Sequence, residues 1–210
     1  MADSTARAPS GGEINHPADM ALILATRNPH KLREFARLLA VTELEPLPDA
    51  VELPPETGET FTENALGKAR AAAAATGRAA VADDSGIAAD ALDGRPGVRS
   101  ARYGGEHASD AENLALLIAE VPPGSGLHYV CSFVYVDPIA GEERVFEGRC
   151  DGVMAGAAVG SRGFGYDPVF VPVDDASGRT MAELSDAEKD AISHRGRALR
   201  AFEAWFSGRA

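Results

Sequence analysis

Short apolar runs alternate with helically spaced apolar residues near the N-terminus. The apolar run 20–26 predicts a buried strand. Asn28 and Pro29 follow it and are typical of a helix N-cap and of the first helical position. Apolar side chains then recur at helical spacing to about residue 40. The pattern therefore predicts a strand, a tight turn and a helix.

A second helix is predicted after a long connection. The segment 45–59 is rich in proline and acidic residues, which favours irregular structure. Thr60 and Glu63 have the spacing of a capping box, which predicts the start of a helix. We expect that helix to end near residue 76, because Gly77 is a typical C-terminal stop.

The C-terminal half adds helix caps and a hairpin pattern. Its predicted elements are a helix capped by Ser109 and Glu112, strands at 127–137, 144–150 and 169–173, a glycine- and alanine-rich loop at 152–165, and a last helix capped by Ser185 and Glu188 that runs through Phe206. Strand–helix units combined with an antiparallel hairpin predict an α/β fold with a mixed sheet. We expect residues 20–210 to form a single domain after a disordered polar tail, residues 1–19.

Composition and charge narrow the class of function. Of 210 residues, 45% are hydrophobic and 25% charged, as in globular proteins. The net charge of −12 argues against binding to the phosphate backbone of nucleic acids. No run approaches the roughly 18 apolar residues of a membrane span, and no signal-peptide core is present, so we expect a cytoplasmic protein without a membrane partner. Cys131 and Cys150 lie in strand-like runs and are expected to be buried and unpaired.

The segment 81–86, Val-Ala-Asp-Asp-Ser-Gly, is the most informative polar sequence. The apolar run 79–82 is expected to end here and to deliver Asp83 and Asp84 to an open sheet edge, where α/β proteins bind ligands. Carboxylates suit Mg²⁺. Because successive strand side chains point to opposite faces, we expect one aspartate to face the site and the other to hold a turn. An ordinary Asp-Ser-Gly turn is the alternative.

Residues 26–31, Thr-Arg-Asn-Pro-His-Lys, form a candidate phosphate site. A helix that begins after Asn28 offers unpaired N–H groups and a positive dipole end. Lys31 lies in the first turn, where a cation is unfavourable unless an anion binds nearby. It is one of three lysines among 20 basic residues, the others being Lys68 and Lys189. A surface lysine on a capped helix is the alternative.

Two further segments lie before and after the hairpin. Glu56 can complete a metal site with the acidic segment, and Asn64 and Lys68 share one helical face that points either at a ligand or at solvent. The glycines around Phe164 and Tyr166 allow an aromatic ring to stack on a flat ligand. A bent strand entry with a core phenylalanine is the alternative for the second segment.

The segment 189–196 places polar residues beside a helical glycine. Gly196 follows His194 and Arg195, and glycine inside a helix costs about 1 kcal/mol relative to alanine. It therefore marks close packing or a nearby ligand. His194 is a candidate phosphate or base contact, with a structural histidine as the alternative. No arrangement of Ser, His and Asp or of Cys and His indicates a nucleophilic triad.

Taken together, these segments resemble the inosine triphosphate pyrophosphatase family, the Ham1-like dITP/XTP pyrophosphatases. The similar motifs run in register from residue 21 to residue 206 and are LATRNPHKLREF, ETGETFTENALGKA, VADDSG, PGVRSARYGG, GFGYDPVF and AELSDAEKDAISHRGRAL. Each motif alone is weak, but six in order are highly specific. Arg27 departs from the family pattern, in which many members have glycine, and the loop 154–162 is more alanine-rich than usual.

The resemblance implies an elongated mixed sheet flanked by helices, in two lobes with a central cleft, usually as a homodimer. It implies hydrolysis of the noncanonical purine triphosphates ITP, dITP and XTP to the monophosphate and pyrophosphate with Mg²⁺. Asp84 is then the expected general base and, with Glu56, a metal ligand. The residues expected to bind substrate are Thr26, Arg27, Asn28, Pro29, His30, Lys31 and Ser85 at the phosphates, Phe164, Gly165, Tyr166 and Asp167 at the base, and Lys189, His194 and Arg195 over the nucleotide.

Two other readings of the sequence stay open at this point. A Maf-type pyrophosphatase would act on pyrimidine or modified nucleotides, but the Ser-His-Arg and Gly-Phe-Gly-Tyr-Asp-Pro segments favour the purine-specific group. A non-hydrolytic nucleotide-binding module would bind ITP without cleaving it. The presence of Asp84, Glu56 and all three lysines favours an enzyme.

Overall fold

A six-stranded mixed sheet organises the molecule. The computed structural model describes residues 21–39 and 43–209. The strands are β1 (Leu22–Leu24), β2 (Leu44–Pro46), β3 (Ala80–Ala89), β4 (Gly126–Asp137), β5 (Glu142–Met154) and β6 (Phe170–Pro172). Their order is β2-β1-β3-β4-β5-β6, with β1 parallel to β2 and β3 and the other pairs antiparallel. The predicted α/β class with a mixed sheet is confirmed.

Five α-helices in the described part of the chain accompany the sheet. They are α1 (Pro29–Leu38), α2 (Phe61–Thr76), α3 (Asp110–Glu120), α4 (Asp186–Ile192) and α5 (His194–Ser207). Asn28 caps α1, and Gly77 ends α2 in the left-handed conformation with φ 66°. Capping boxes are present at all three predicted positions, Thr60–Glu63, Ser109–Glu112 and Ser185–Glu188. Cap chemistry therefore predicted where most helices begin.

The two faces of the sheet bury different side chains. On one face, the alanines of α2 pack against Ile23 and Val134. On the other face, Phe35 of α1 and Phe202 of α5 contact Phe133 of β4. A third apolar cluster joins the C-terminal half of β3 to β6 and α3. Small residues on one side and aromatic residues on the other hold β3 at the centre of the fold.

The acidic segment is part of a strand, and the predicted turn is wrong. β3 continues through residues 83–86, each of which pairs with a residue of β4. β1 stops at Leu24, opposite Val81. In the described part of the chain, no strand pairs with residues 82–87 on that side, and a cleft borders residues 84–86 before Ala88 forms an isolated bridge with Pro96. The sequence does not show the pairing with β4, and without it polar residues in the middle of a strand resemble a strand end.

Two other element predictions were also wrong. Residues 44–46 form β2 inside the predicted connection, at the sheet edge where a proline is tolerated. The last helix is interrupted at Ser193, whose backbone is extended with φ −65° and ψ 154°. Ser193 ends α4, and its side chain accepts the Gly196 N–H to cap α5. The interruption places His194 and Arg195 in the first turn of α5.

Three further sequence predictions concern the N-terminal tail, membrane-spanning helices and the two cysteines. The tail 1–19 lies outside the described residues, so its disorder and the domain boundary stay predictions. Within residues 21–39 and 43–209, every helix is too short or too polar to cross a bilayer. Cys131 and Cys150 are buried and free, as expected.

Candidate active site

The cleft beside β3 collects nearly all of the predicted site residues. Its lining includes Thr26, Arg27, Asn28, Lys31, Glu56, Asp84, Ser85, Phe164, Gly165, Tyr166, Asp167, Lys189, His194 and Arg195. Pro29 and His30 are the two predicted residues that lie outside the lining. Lys68, which the sequence placed either toward a ligand or toward solvent, lines the cleft as well.

The start of α1 forms one end of the cleft. Asn28 Oδ1 accepts the N–H groups of His30 and Lys31 at 2.9 and 3.3 Å. Thr26 Oγ1 accepts the Asn28 N–H at 3.2 Å. These side chains fix the turn locally as well as lining the cleft. Lys31 Nζ lies 3.0 Å from Asp83 Oδ1, which explains how a cation is held in the first helical turn.

Arg27 fixes a neighbouring loop. Its guanidinium donates to the carbonyl oxygens of residues 47, 48, 49 and 51, at 2.8–3.3 Å. Its φ is not positive, so the turn does not need the glycine that many family members have there. The arginine therefore adds contacts to the loop after β2 without straining the turn.

Asp83 and Asp84 point to opposite faces of β3, as strand geometry predicts. Asp83 is 0% exposed and lies between Lys31 and Arg195, at 3.0 and 3.3 Å. Burial opposes ionisation, but these two cations hold the pKa of Asp83 well below its usual range. Asp84 lines the cleft and accepts a hydrogen bond from Asn64 Nδ2 at 2.9 Å. Asp84 is thus the aspartate available to a ligand.

Asp84 and Glu56 share one lysine. Lys68 Nζ lies 2.5 Å from Glu56 Oε1 and 4.0 Å from Asp84 Oδ1. Burial raises the pKa of Asp84, and repulsion from Glu56 adds to this, so the pKa stays raised although Lys68 opposes it. Burial also acts to raise the pKa of Glu56, but Lys68 outweighs it and the pKa is lowered. The site therefore holds a carboxylate with increased proton affinity beside an ionised one.

This pair of carboxylates fits Mg²⁺. Among the described residues, no three His, Cys, Asp or Glu side chains converge as a complete metal site. Mg²⁺ in phosphoryl-transfer sites usually takes only one or two carboxylates and completes its octahedron with water and substrate phosphates. Glu56 and Asp84 supply such a partial oxygen set at the polar end of the cleft, and a divalent cation would relieve their mutual repulsion.

The other end of the cleft is aromatic. The Phe164 ring stacks against His30, with 4.9 Å between ring centroids. Lys189 Nζ and the Arg195 guanidinium lie 5.2 and 5.9 Å from the Phe164 centroid. His30 thus supports the Phe164 ring, although His30 itself does not line the cleft. A flat ring flanked by two cations suits an electron-rich planar ligand.

Tyr166 and Asp167 mainly hold the loop that carries Phe164. Tyr166 is 6% exposed, and its hydroxyl donates to the Ser100 carbonyl at 2.7 Å. Asp167 accepts from Lys189 Nζ at 2.6 Å and from the Phe164 N–H at 3.0 Å. Both side chains border the cleft, but their polar atoms are engaged within the protein.

The break between α4 and α5 places the side chains of His194 and Arg195 at the cleft. The His194 ring stacks on Tyr129 at 4.6 Å and 8°. Burial lowers the pKa of His194 well below its usual value, and the nearby cations Arg195 and Lys189 lower it further, so the ring is neutral at neutral pH. Arg195 donates to Ser85 Oγ at 2.8 Å and pairs with Asp83, which ties α5 to β3.

Glu34 is a buried carboxylate that the sequence analysis did not assign. It accepts from Lys189 Nζ at 2.9 Å and also pairs with Arg195. Its position one helical turn after Lys31 is a signal that it faces the same side of α1. Glu34 lies outside the lining, and the lining residues that sequence reasoning did not assign are Leu53, Gly86, Ser100, Ala101, Asp110, Asn113 and Tyr129.

The mixed α/β sheet thus lies beside a cleft that is lined by charged and aromatic side chains. The model of the Ham1 family matches residues 22–205. A dITP/XTP pyrophosphatase of Mycolicibacterium paratuberculosis is 53% identical over 192 residues, which cover 85% of this chain and 92% of that protein. The chain belongs to the Ham1 family.

Solved structures agree with this assignment. The Ham1 protein of Staphylococcus aureus superposes with a TM-score of 0.79 at 34% identity, covering 91% of this chain and 100% of that one. A nucleoside-triphosphatase, described as a dITP/XTP pyrophosphatase, from Mycobacterium abscessus superposes with a TM-score of 0.69 at 50% identity, covering 87% and 98%.

Proposed function

We propose that this protein hydrolyses the noncanonical purine triphosphates dITP, ITP and XTP to the monophosphate and pyrophosphate, and so cleanses the nucleotide pool. The observation that carries the proposal is the position of the Asp84 carboxylate in a cleft that is lined by cationic and aromatic side chains. Relatives about half identical to this chain and named dITP/XTP pyrophosphatase support the substrate class.

Asp84 is the proposed general base. A carboxylate that lines the cleft can accept a proton from an attacking water molecule. Asn64 donates to Asp84 Oδ2 and the Ser85 N–H donates to Oδ1, which together fix the carboxylate 4.0 Å from Lys68 Nζ. The water that Asp84 orients attacks the α-phosphorus, and pyrophosphate leaves.

The charge of the triphosphate requires neutralisation. Lys31 and Lys68 approach the cleft from α1 and α2, and the N-terminus of α1 adds the positive end of its helix dipole. Glu56 and Asp84 would hold Mg²⁺, which supplies positive charge for the phosphate oxygens when bound. These groups stabilise the negative charge that spreads over the phosphates in the transition state.

Base selection is assigned to the aromatic end. Phe164 stacks on the purine, and the donors of Lys189 and Arg195 lie beside this ring. Lys189 and Arg195 already donate to carboxylates of the protein, and each retains an N–H for a ligand. A 6-keto oxygen, present in hypoxanthine and xanthine, accepts from such an N–H, whereas the 6-amino group of adenine leaves it unpaired. Discrimination of this kind reaches on the order of 10⁴-fold.

The assembly and location follow from the family resemblance. We propose a cytoplasmic homodimer that requires Mg²⁺. Light scattering coupled to size-exclusion chromatography tests the dimer, for which a single species of monomer mass is the contrary result. Titration of activity with Mg²⁺ after chelation tests the metal requirement.

The Asp84→Asn variant tests the proposed reaction. We expect pyrophosphate release from ITP to fall about 10²–10⁴-fold, while ITP binding measured by calorimetry persists. Asp49→Asn is the matched control, because Asp49 is fully exposed and paired only with Arg27 in the described structure. An Asp84→Asn enzyme with unchanged turnover would contradict the role of Asp84. ITP binding without hydrolysis by the unaltered protein would favour the non-hydrolytic module.

A further inference from the structure

Glu56 lies on a segment without regular structure. Residues 51–58 belong to no helix or strand, although the Glu56 side chain must be presented accurately to the cleft. Helix α2 holds this segment through two contacts, Lys68 Nζ to Glu56 Oε1 at 2.5 Å and the Gly58 N–H to Asn64 Oδ1 at 2.8 Å. Both of these contacts come from the same helix.

Arg102, which lies outside α2, makes two further contacts with this segment. Its Nη2 donates to the Glu56 backbone carbonyl at 2.7 Å, and its Nη1 lies 3.8 Å from Glu56 Oε2. One guanidinium thus contacts both the main chain and the carboxylate of the same residue. Lysine could not reproduce this fork, because its ammonium is a single point charge.

The support for Arg102 is itself anchored to the central strand. Arg102 ends a short 3₁₀ helix, Gly97–Arg102. Within it, Ser100 Oγ accepts the Ile87 N–H at 2.8 Å, and the Ser100 carbonyl accepts the Tyr166 hydroxyl at 2.7 Å. Gly86 permits this approach, since a Cβ there would lie 2.4 Å from Ser100 Oγ. Arg102 therefore connects Glu56 to β3 and to the loop of Phe164.

We propose that Arg102 is a positioning residue that holds Glu56 in place for the divalent cation, a proposal that rests on the function proposed above. The carboxylates of Glu56 and Asp84 repel each other in the cleft. Without Arg102, the Glu56 backbone carbonyl loses its hydrogen bond to the 3₁₀ helix, and Lys68 is left as the cation in direct contact with the Glu56 carboxylate. The metal is then bound less tightly, while Asp84 and the base end are unchanged.

The test compares Arg102→Met and Arg102→Lys with Arg99→Met and Arg99→Lys. Arg99 is an exposed arginine of the same 3₁₀ helix, and its side chain has no hydrogen bond or ion pair with residues 21–39 and 43–209. Two measurements are made on each purified variant: the rate of amide hydrogen exchange in residues 56–60, and the Mg²⁺ concentration for half-maximal pyrophosphate release.

We expect both Arg102 variants, but neither Arg99 variant, to exchange faster in residues 56–60. Their half-maximal Mg²⁺ concentration should rise about 10–100-fold, as for other residues that orient metal ligands, with turnover at saturating Mg²⁺ within about twofold. If Arg102→Met does not fold, Arg102→Lys retains the charge and decides the question. Unchanged exchange with an unchanged Mg²⁺ requirement would overturn the proposal, and so would a lowered melting temperature with no change in either measurement.

The two proposals can fail separately. If the unaltered protein releases no pyrophosphate, the proposed function fails, but hydrogen exchange still measures whether Arg102 holds the segment. If the unaltered protein is active and the Arg102 and Arg99 variants behave alike in both measurements, only the positioning role is wrong.

Discussion

Replacing Asp83 with asparagine should destabilise the fold although Asp83 does not line the cleft. The carboxylate is 0% exposed and is the contact between Lys31 on α1 and Arg195 on α5, at 3.0 and 3.3 Å. Removing one partner of a buried ion pair costs about 3–5 kcal/mol. Arg195 keeps Ser85 and Glu34, and Lys31 borders the cleft, so we expect the lower end of this range.

The expected loss can be measured as a melting temperature. For a chain of this size, about 3 kcal/mol corresponds to a decrease of roughly 6–12 °C. Asp49→Asn is the matched control, since it breaks an exposed pair with Arg27 and should change stability by less than about 1 kcal/mol. Differential scanning calorimetry at pH 7 compares both variants with the unaltered protein. Equal melting temperatures for the two variants would refute the reasoning.

The effect should also depend on pH in a defined direction. Because folding lowers the pKa of Asp83, the ionised carboxylate stabilises the fold above the ordinary aspartate pKa, and this contribution is lost as pH falls toward the folded pKa. The difference in free energy of unfolding between the unaltered protein and Asp83→Asn should therefore shrink below about pH 4. A difference that grows with acidification would contradict the assignment.

The remaining predictions concern α2 and α5. Gly196→Ala should lower the free energy of unfolding by about 1–3 kcal/mol, because the added Cβ would lie 2.0 Å from the Asp190 carbonyl oxygen. Gly67→Ala should raise it by about 0.5–1 kcal/mol, because its Cβ would have its nearest neighbour at 3.7 Å and alanine favours a helix more than glycine does. Urea unfolding measures both changes. The free energy of unfolding should fall as pH drops below about 6.5, because buried neutral His194 binds a proton more readily in the unfolded chain. His194→Gln should reduce that slope, and an unaltered slope would show that other groups cause it.

Much of the local structure was predictable because it depends on neighbours in sequence. Asn28 and the three capping boxes marked helix starts by side-chain contacts that span only a few residues. The continuation of β3 through residues 83–86 depends instead on pairing with β4, which lies about 50 residues later in the chain. The break at Ser193 was not predicted, because apolar residues keep the same helical spacing on both sides of it.

The candidate site was predicted at the level of residues but not of contacts. The family resemblance assigned Asp84, Glu56 and the Phe164 loop to one site, and all of them line the cleft. It could not show that Asp83 is enclosed by two cations or that Glu34 joins Lys189 to Arg195. Such buried networks arise between distant segments, and only the tertiary structure shows how each charge is compensated.

The most direct test of the account is the ratio of kcat/KM for ITP to kcat/KM for ATP with Mg²⁺, with the products identified by anion-exchange chromatography. The account predicts IMP and pyrophosphate as the products and a preference for ITP on the order of 10⁴-fold. Comparable rates for ITP and ATP, or release of IDP and orthophosphate, would contradict it.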